Sequence, residues 1–310
     1  MTRQTTSTLL LIEPVAFGFN QQTAENNYFQ QPAGTSAVQE KALREFRQMT
    51  ALLQDKRLDL IVIQDTPEPH TPDSIFPNNW VSFHEDGTVV LYPMFAANRR
   101  SERRPDILKQ IENEGFIIRS IRDYSPFENQ GVFLEGTGSM VLDRIHRKAY
   151  AALSKRTHLP LFLQFCEELH FTPCYFFANQ TVGDKRLPIY HTNVMMSIGD
   201  RYALVCLDSI DDTKEKQAVV RSLHDSGKEI VEITESQMHC FAGNMLQVEN
   251  RDGKKIAVLS ETARKSLTAK QIEQLSAFNE MLAIPVPVIE KAGGGSVRCM
   301  MAEVFLQKKP

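Results

Sequence analysis

Cys299 is a nucleophilic side chain in an unusual place. It follows three consecutive glycines, Gly293, Gly294 and Gly295, and stands close to the C-terminus. Glycine allows positive φ and close backbone approach, so the triplet forms a mobile or sharply turned collar in front of the thiol. Most free cysteines are small buried hydrophobes, and a reactive one needs an electropositive neighbour. A thiol also needs a base to become a thiolate, and histidine is the usual one. His191 and Glu135 are the candidates to complete such a group. Each interrupts a stretch otherwise rich in Val, Met and Phe, which gains nothing by burying an unpaired ionisable group. A carboxylate that accepts one ring N–H would fix the imidazole tautomer and stabilise the imidazolium. The ordinary alternatives are an arginine partner for Glu135 and a backbone-bonded core position for His191.

The elements that must bring these residues together repeat along the chain. Ile75–Phe83 and Thr88–Tyr92 read as strands joined through Asp86-Gly87, a hairpin signal. A helical stretch at Pro105–Glu114 and a strand at Phe116–Ile118 follow. The same order recurs with strands at Gly131–Leu142 and Lys148–Leu153, a helix near 158–170 and a strand around Pro173–Phe177. It recurs again with His191–Ser197, Tyr202–Cys206, a helix at Lys214–Ser226 and Ile230–Ile233. The last copy has Asn244–Val248, Lys255–Leu259, a Thr268–Leu282 helix and Pro285–Ile289. At the N-terminus, Leu9–Ile12 is a strand, residues 36–55 an amphipathic helix with a Ser36/Gln39 capping box, and Leu58–Ile63 a strand. A period near sixty residues, repeated roughly five times, predicts copies packed about a common axis. The leftover apolar strand, Val297–Leu306, would pair with the first copy and close the ring. Glu135 and His191 then occupy matching places in neighbouring copies, and Cys299 lies at the closure.

Composition excludes several functions. The 310 residues are 42% hydrophobic and 24% charged, with net charge −3. There is no basic stripe for nucleic acid, no apolar run of the ~18 residues a membrane helix needs, and no leader-like N-terminus. Five cysteines without a CxxC pair point to reduced thiols and a cytoplasmic setting. The eight histidines show no zinc spacing. No metal or other cofactor is expected. A homo-oligomer is compatible with the sequence, which does not fix the oligomeric state.

Five short motifs resemble those of the guanidino-group-modifying enzymes of the pentein fold. These include arginine deiminases, dimethylarginine hydrolases and glycine amidinotransferases, and the likeness is greatest to amidinotransferase-related citrulline-utilisation hydrolases. Asp73-Ser-Ile-Phe-Pro-Asn-Asn79 resembles the family's Asp-Ser-Val-Phe-x-x-Asp, and Glu135-Gly136 stands for Glu-Gly-Gly-Asp. Ser154-Lys-Arg-Thr157 resembles Ser-x-Arg-Thr, His191-Thr-Asn193 stands for His-x-Asp, and Gly293-Gly-Gly-x-x-x-Cys299 matches the turn before the nucleophile. The resemblance implies an α/β fold of pentein type. It would be a propeller of five pseudosymmetric ββαβ repeats around a central channel, in one catalytic domain over residues 1–310. It implies Cys299 as nucleophile, His191 as general acid/base and Glu135 as orienting carboxylate. Asp73, Phe76, Asn78, Asn79, Asn193 and Gly295 fall on the substrate side. Arg156 would grip an α-carboxylate, with Arg99 or Arg100 as weaker candidates.

The chain departs from that pattern where arginine-acting members place two aspartates around the guanidinium. Here stand Asn79 and Asn193, while Asp73 is retained. A guanidinium is cationic at any working pH, and a buried site for it wants anions. Asparagine offers one acceptor and one donor group, the complement of a neutral ureido group. The expected reaction is therefore hydrolysis of a ureido amino acid, citrulline, to ornithine, ammonia and carbon dioxide. The alternatives are an amidinotransferase, an arginine deiminase-like guanidine hydrolase, and a binding-only protein like a ribosome anti-association factor that shares the ring.

Overall fold

The computed structural model describes residues 3–32 and 37–309. Four three-stranded sheets follow chain order. The first is Val81–Phe83, Thr88–Leu91 and Ser120–Asp123, and the second is Val141–Asp143, Lys148–Ala152 and Thr172–Phe176. The third is Met196–Ile198, Tyr202–Val205 and Glu229–Glu232, and the fourth is Leu246–Glu249, Lys255–Ser260 and Glu280–Ile284. In each, the first pair is antiparallel and the second parallel. Antiparallel neighbours need only a tight turn. At Asp86-Gly87 the aspartate accepts the Thr88 N–H at 2.9 Å, and Gly87 takes φ +88°. Parallel neighbours need a crossover. Helices supply it at Pro105–Asn113, Leu159–Glu168, Thr213–Asp225 and Ala269–Ser276.

A fifth sheet is assembled from both ends of the chain. Ala302–Glu303 pairs antiparallel with Thr8–Glu13, setting Leu9 opposite Glu303 and Leu10 opposite Ala302. Thr8–Glu13 pairs parallel with Asp59–Gln64 across the Val38–Asp55 helix. The C-terminal segment thus does the work of a first strand, as the leftover apolar stretch predicted. The first strands of the second and third sheets contact each other, as do those of the third and fourth. Ala302–Glu303 meets Val81–Phe83 in the same way.

Several expectations are corrected. The motif-bearing stretches expected as strands each begin with a turn, and only their ends are strand. Pro77–Asn79 is a 3-10 turn before Val81, Gly136–Ser139 a helical turn before Val141, and Thr192–Met195 a helical turn before Met196. Val297–Met300 is likewise turn, so Cys299 is buried in a turn and not displayed at a strand end. Their apolar composition reflects burial in the middle of the protein, which periodicity cannot separate from strand. Pro285–Ile289 is not a strand either. The strand is Glu280–Ile284, and Pro287 opens a helix to Gly293, a position where its missing N–H costs nothing. The outer strand of the first sheet is Ser120–Asp123, while Phe116 pairs with Lys308 of the tail. Ser36 lies outside the described residues; Gln39 bonds Pro14 O and Phe17 N–H, both at 2.6 Å. The hairpin of Asn179–Val182 with Lys185–Pro188 had no counterpart in the sequence reading.

Cutting the chain after Met301 removes the strand that pairs with Thr8–Glu13, together with buried Val304, Phe305 and Leu306. The shortened chain is expected to lose cooperative thermal unfolding. A truncated protein that melts at the full-length temperature would show that this closure does not hold the fold.

Candidate active site

Each turn ahead of a first strand delivers one or two polar side chains to the same place. Glu135 caps the 136–139 turn and is fully buried. Its Oε1 accepts the Phe95 N–H at 2.9 Å. Its Oε2 takes His191 Nε2 at 2.7 Å and Arg156 Nη1 at 3.4 Å. Burial alone would raise this carboxyl, but Arg156 and the His191 hydrogen bond outweigh it and hold Glu135 well below the ordinary range. His191 is also buried, and burial pulls it down to about 4 against the opposing pull of Glu135. At neutral pH the pair is therefore a carboxylate and a neutral imidazole. With Nε2–H given to Glu135, Nδ1 is left as the basic nitrogen. Gly138 makes room for it: a Cβ there would sit 2.8 Å from Nδ1 and 2.4 Å from Asn79 Nδ2.

Cys299 shares a narrow cleft with His191, Asp73, Phe76, Asn79, Arg99, Arg156, Tyr190 and Gly295. Its N–H bonds Ser296 O at 2.9 Å, which fixes the turn. Ser296 is held by Glu290 at 2.6 Å, and Gly294 (φ +62°) gives its carbonyl to the Tyr190 hydroxyl at 2.8 Å. Two amides point at the sulfur, Asn193 Nδ2 at 3.6 Å and Asn244 Nδ2 at 3.2 Å. Asn244 also donates to Asn193 O at 3.1 Å, which sets its amide orientation. The sequence reading missed Asn244. Its register was the available signal, since it precedes the first strand of its sheet as Asn193 precedes that of the sheet before.

Asp73 is buried, with Oδ2 accepting from Asn20 at 2.7 Å and Thr23 at 3.1 Å, while Oδ1 has no partner among the described residues. Burial raises its pKa, opposed chiefly by Arg99. Asn79 gives Oδ1 to Arg99 Nη1 at 2.9 Å, so its Nδ2 faces away and finds no acceptor among the described residues. Phe76 lies against Gly293 and Gly295.

Other expected residues fall elsewhere. Asn78 is not on the cleft; its Nδ2 approaches Thr137 Oγ1 at 3.4 Å and ties two turns together. Arg99 lines the cleft, but its fork is bound to Glu102 at 2.8 and 2.9 Å. Burial pushes Glu102 up to about 7, yet this short bidentate contact is that of an ion pair. Arg100 faces Glu128 and Met94 O, away from the cleft. Arg156 is buried on the cleft wall with Nε and Nη2 bonded to Asn26 and Thr23 O and Nη1 on Glu135. One N–H of Nη1 remains, so a two-pronged grip on a carboxylate is not available in this arrangement.

The family profile described as N,N-dimethylarginine dimethylhydrolase, eukaryotic, matches residues 13–306. The chain belongs to this family. Its fold is that of the pentein guanidino-group-modifying enzymes. The N-terminal domain of ArgZ, an arginine dihydrolase of cyanobacteria, was solved as a cysteine-to-serine variant bound to substrate. It superposes with TM-score 0.72 at 16% identity, over 96% of this chain and 97% of that one. The dimethylarginine hydrolase of Pseudomonas aeruginosa, a cysteine-to-serine variant complexed with citrulline, gives 0.64 at 13% identity, over 98% and 99%. The whole ArgZ chain gives 0.74 at 18% identity, and this chain spans 41% of it. At these identities the structures show the fold. No curated protein sequence matches the chain.

Two predictions follow from the geometry. The unfolded imidazole of His191 protonates near 6.5 and the folded one near 4, so between those values the unfolded state binds more protons. This contribution to stability is complete above pH 6.5 and is lost as pH falls toward 4. His191→Asn should flatten the fall in denaturant midpoint over that window; a profile parallel to wild type would contradict the neutral buried state. The second concerns Asn244. A hydrogen bond to a charged group is worth about 1.5–3 kcal/mol. Asn244→Ala should therefore slow iodoacetamide alkylation of Cys299 at pH 7 by about tenfold or more. An unchanged rate would remove Asn244 from thiolate stabilisation.

Proposed function

We propose that the protein is a cysteine-dependent hydrolase of the planar carbon of a guanidino or ureido amino acid, and that citrulline is its preferred substrate. The five sheets are read as five copies of one unit around a common channel, with residues 1–310 as one catalytic unit. One observation carries the substrate choice. Asn79 Nδ2 and Asp73 Oδ1, from two residues that line the cleft with Cys299, are a buried donor and a buried acceptor, neither with a partner among the described residues. A ureido group answers both, its oxygen accepting from Asn79 and its N–H donating to Asp73. A guanidinium has only donors and would leave Asn79 Nδ2 unmatched.

In the reaction, His191 Nδ1 takes the thiol proton and the Cys299 sulfur attacks the ureido carbon. The amide donors of Asn79, Asn193 and Asn244 are placed to meet charge on sulfur or on the ureido oxygen. The imidazolium, stabilised by Glu135, returns its proton to the departing nitrogen, and ammonia leaves. Water, deprotonated by His191, then displaces the thiol from the carbonyl carbon. The carbamate breaks down to ornithine and carbon dioxide. One water is consumed for each ammonia, ornithine and carbon dioxide formed.

A guanidino substrate is the second reading. It is favoured by the family match and by three buried acceptor oxygens near the sulfur without partners among the described residues: Asp73 Oδ1, Asn193 Oδ1 and Asn244 Oδ1. Ammonia release from citrulline, arginine and N,N-dimethylarginine, the last with dimethylamine as the companion readout, separates the two. Citrulline should give the highest kcat/KM, Cys299→Ala should abolish turnover, and Asn79→Asp with Asn193→Asp should shift preference toward arginine. Arginine or dimethylarginine preferred by the wild type, with no shift in the double variant, would overturn the ureido choice. Full turnover by Cys299→Ala would overturn covalent catalysis.

A further inference from the structure

Four arginines are buried: Arg99, Arg144, Arg156 and Arg298. Three have a carboxylate within reach, Glu102 for Arg99 at 2.8 Å, Glu135 for Arg156 at 3.4 Å and Glu303 for Arg298 at 3.3 Å. Arg144 is the exception. Its backbone N–H is fixed on Gln4 Oε1 at 2.8 Å, and its guanidinium carbon lies 3.9 Å from the centroid of the Phe305 ring. Among the described residues its guanidinium has no hydrogen bond and no ion pair. Stacking on a ring attracts the cation but satisfies none of the five N–H donors. Glu303, which shares a second small cavity with Arg144 and is paired with Arg298, attracts it through space without an ion-pair contact, so this buried cation is only partly compensated.

The space beside it can hold one. Arg144 lines a cavity of 180 Å³ together with Arg147 and His84. Arg147 is fixed from the side: its guanidinium stacks on Phe171 at 4.0 Å and Nη2 bonds Leu169 O, leaving Nη1 unspent. His84 Nε2 bonds Ser82 Oγ at 2.9 Å, which in turn bonds Tyr92 at 2.7 Å. Burial first, then Arg144 and Arg147, lowers the His84 pKa well below its ordinary value, so the imidazole adds no positive charge of its own. Two carboxylates, Glu85 and Asp86, and the guanidinium of Arg3 also line the cavity, and both carboxylates act on Arg147, so three guanidiniums stand against two carboxylates there. Glu85 accepts the Arg3 N–H at 3.1 Å, and Asp86 accepts Thr88 N–H in the hairpin turn. None of the cavity's lining residues lines the catalytic cleft.

We propose that this cavity is a second binding site, for a small oxyanion held by the guanidinium groups of Arg144 and Arg147 beside His84. Phosphate and carboxylate share the geometry that two guanidiniums recognise. They are distinguished by experiment.

The full-length protein is titrated separately with inorganic phosphate and with acetate, in a buffer without other oxyanions. The side-chain NMR signals of His84, assigned with His84→Gln, are followed together with the heat of binding. A saturable shift of the His84 signals is expected with one of the two anions, and the responding arm names the source. Arg144→Gln and Arg147→Gln, each checked for native thermal unfolding, should weaken that affinity at least tenfold. Should Arg144→Gln not fold, Arg147→Gln and the wild-type His84 response decide. No saturable His84 shift with either anion overturns the proposal. So does an affinity unchanged in the folded variants, which would place the anion elsewhere.

Discussion

The carboxylate of Glu135 has no contact with solvent, and much of the site exists to keep it charged. An ion in that position without partners would cost several kcal/mol. Its partners are a backbone N–H from the loop after the first sheet's second strand, a guanidinium from the turn after the second sheet's second strand, and the imidazole from the turn ahead of the third sheet. Arg156 is nearly as buried and needs acceptors of its own. It takes Asn26 and the carbonyl of Thr23, so the N-terminal loop is drawn over the cleft by the charge network. Asn20 and Thr23 of that loop then bond Asp73, and Asn27 bonds the Gly294 carbonyl at 3.2 Å. Polar contacts to the site hold this loop between Phe17 and Phe29, which pack against the core on either side of it.

Local chemistry made the outer frame legible. The helices at Val38–Asp55, Pro105–Asn113 and Thr213–Asp225 carry apolar residues at a 3.6 period, and the Asp86-Gly87 hairpin carries its turn residues. The strand-closing role of the C-terminus could be read because one apolar segment had no partner left. The inner segments were misread because burial on every side removes the polar–apolar alternation that marks a strand or a turn. Ile75–Phe83 and His191–Ser197 look equally apolar where they turn and where they extend. Pro285 and Pro287 gave a signal that was read in the wrong direction, since an N–H-free residue suits the start of a helix better than a strand.

Within the site, residue type was easier to read than residue partner. Cys299, His191 and Glu135 could be named because a thiol, an imidazole and a carboxylate have few reasons to be placed where they are. Arg156 could be named but not its bonds, because nothing in the sequence shows that Asn26 comes within reach across 130 positions. Asn244 was passed over since an isolated asparagine is usually a turn residue. Its contact with sulfur comes from the packing of one sheet's leading turn on the next.

The asparagines also settle how negative charge is handled beside Cys299. Arg99 and Arg156 are the cations on the cleft, and Asp73, Glu102 and Glu135 are the carboxylates nearest them. Three carboxylates against two guanidiniums leave one negative charge before the thiol ionises. Aspartates in place of Asn79 and Asn193 would make that three, and a thiolate would then form against strong repulsion unless a cation were already bound. With amides instead, the sulfur meets N–H dipoles at 3.2 and 3.6 Å and no further anion. On the proposed reading, the attack does not require a positively charged substrate. Burial raises the pKa of Asp73 against the pull of Arg99, so this carboxyl carries its charge less readily than a solvated one. If the proposed ureido substrate is the right one, it is attacked in this site without importing a counter-charge of its own, whereas a guanidinium would bring one.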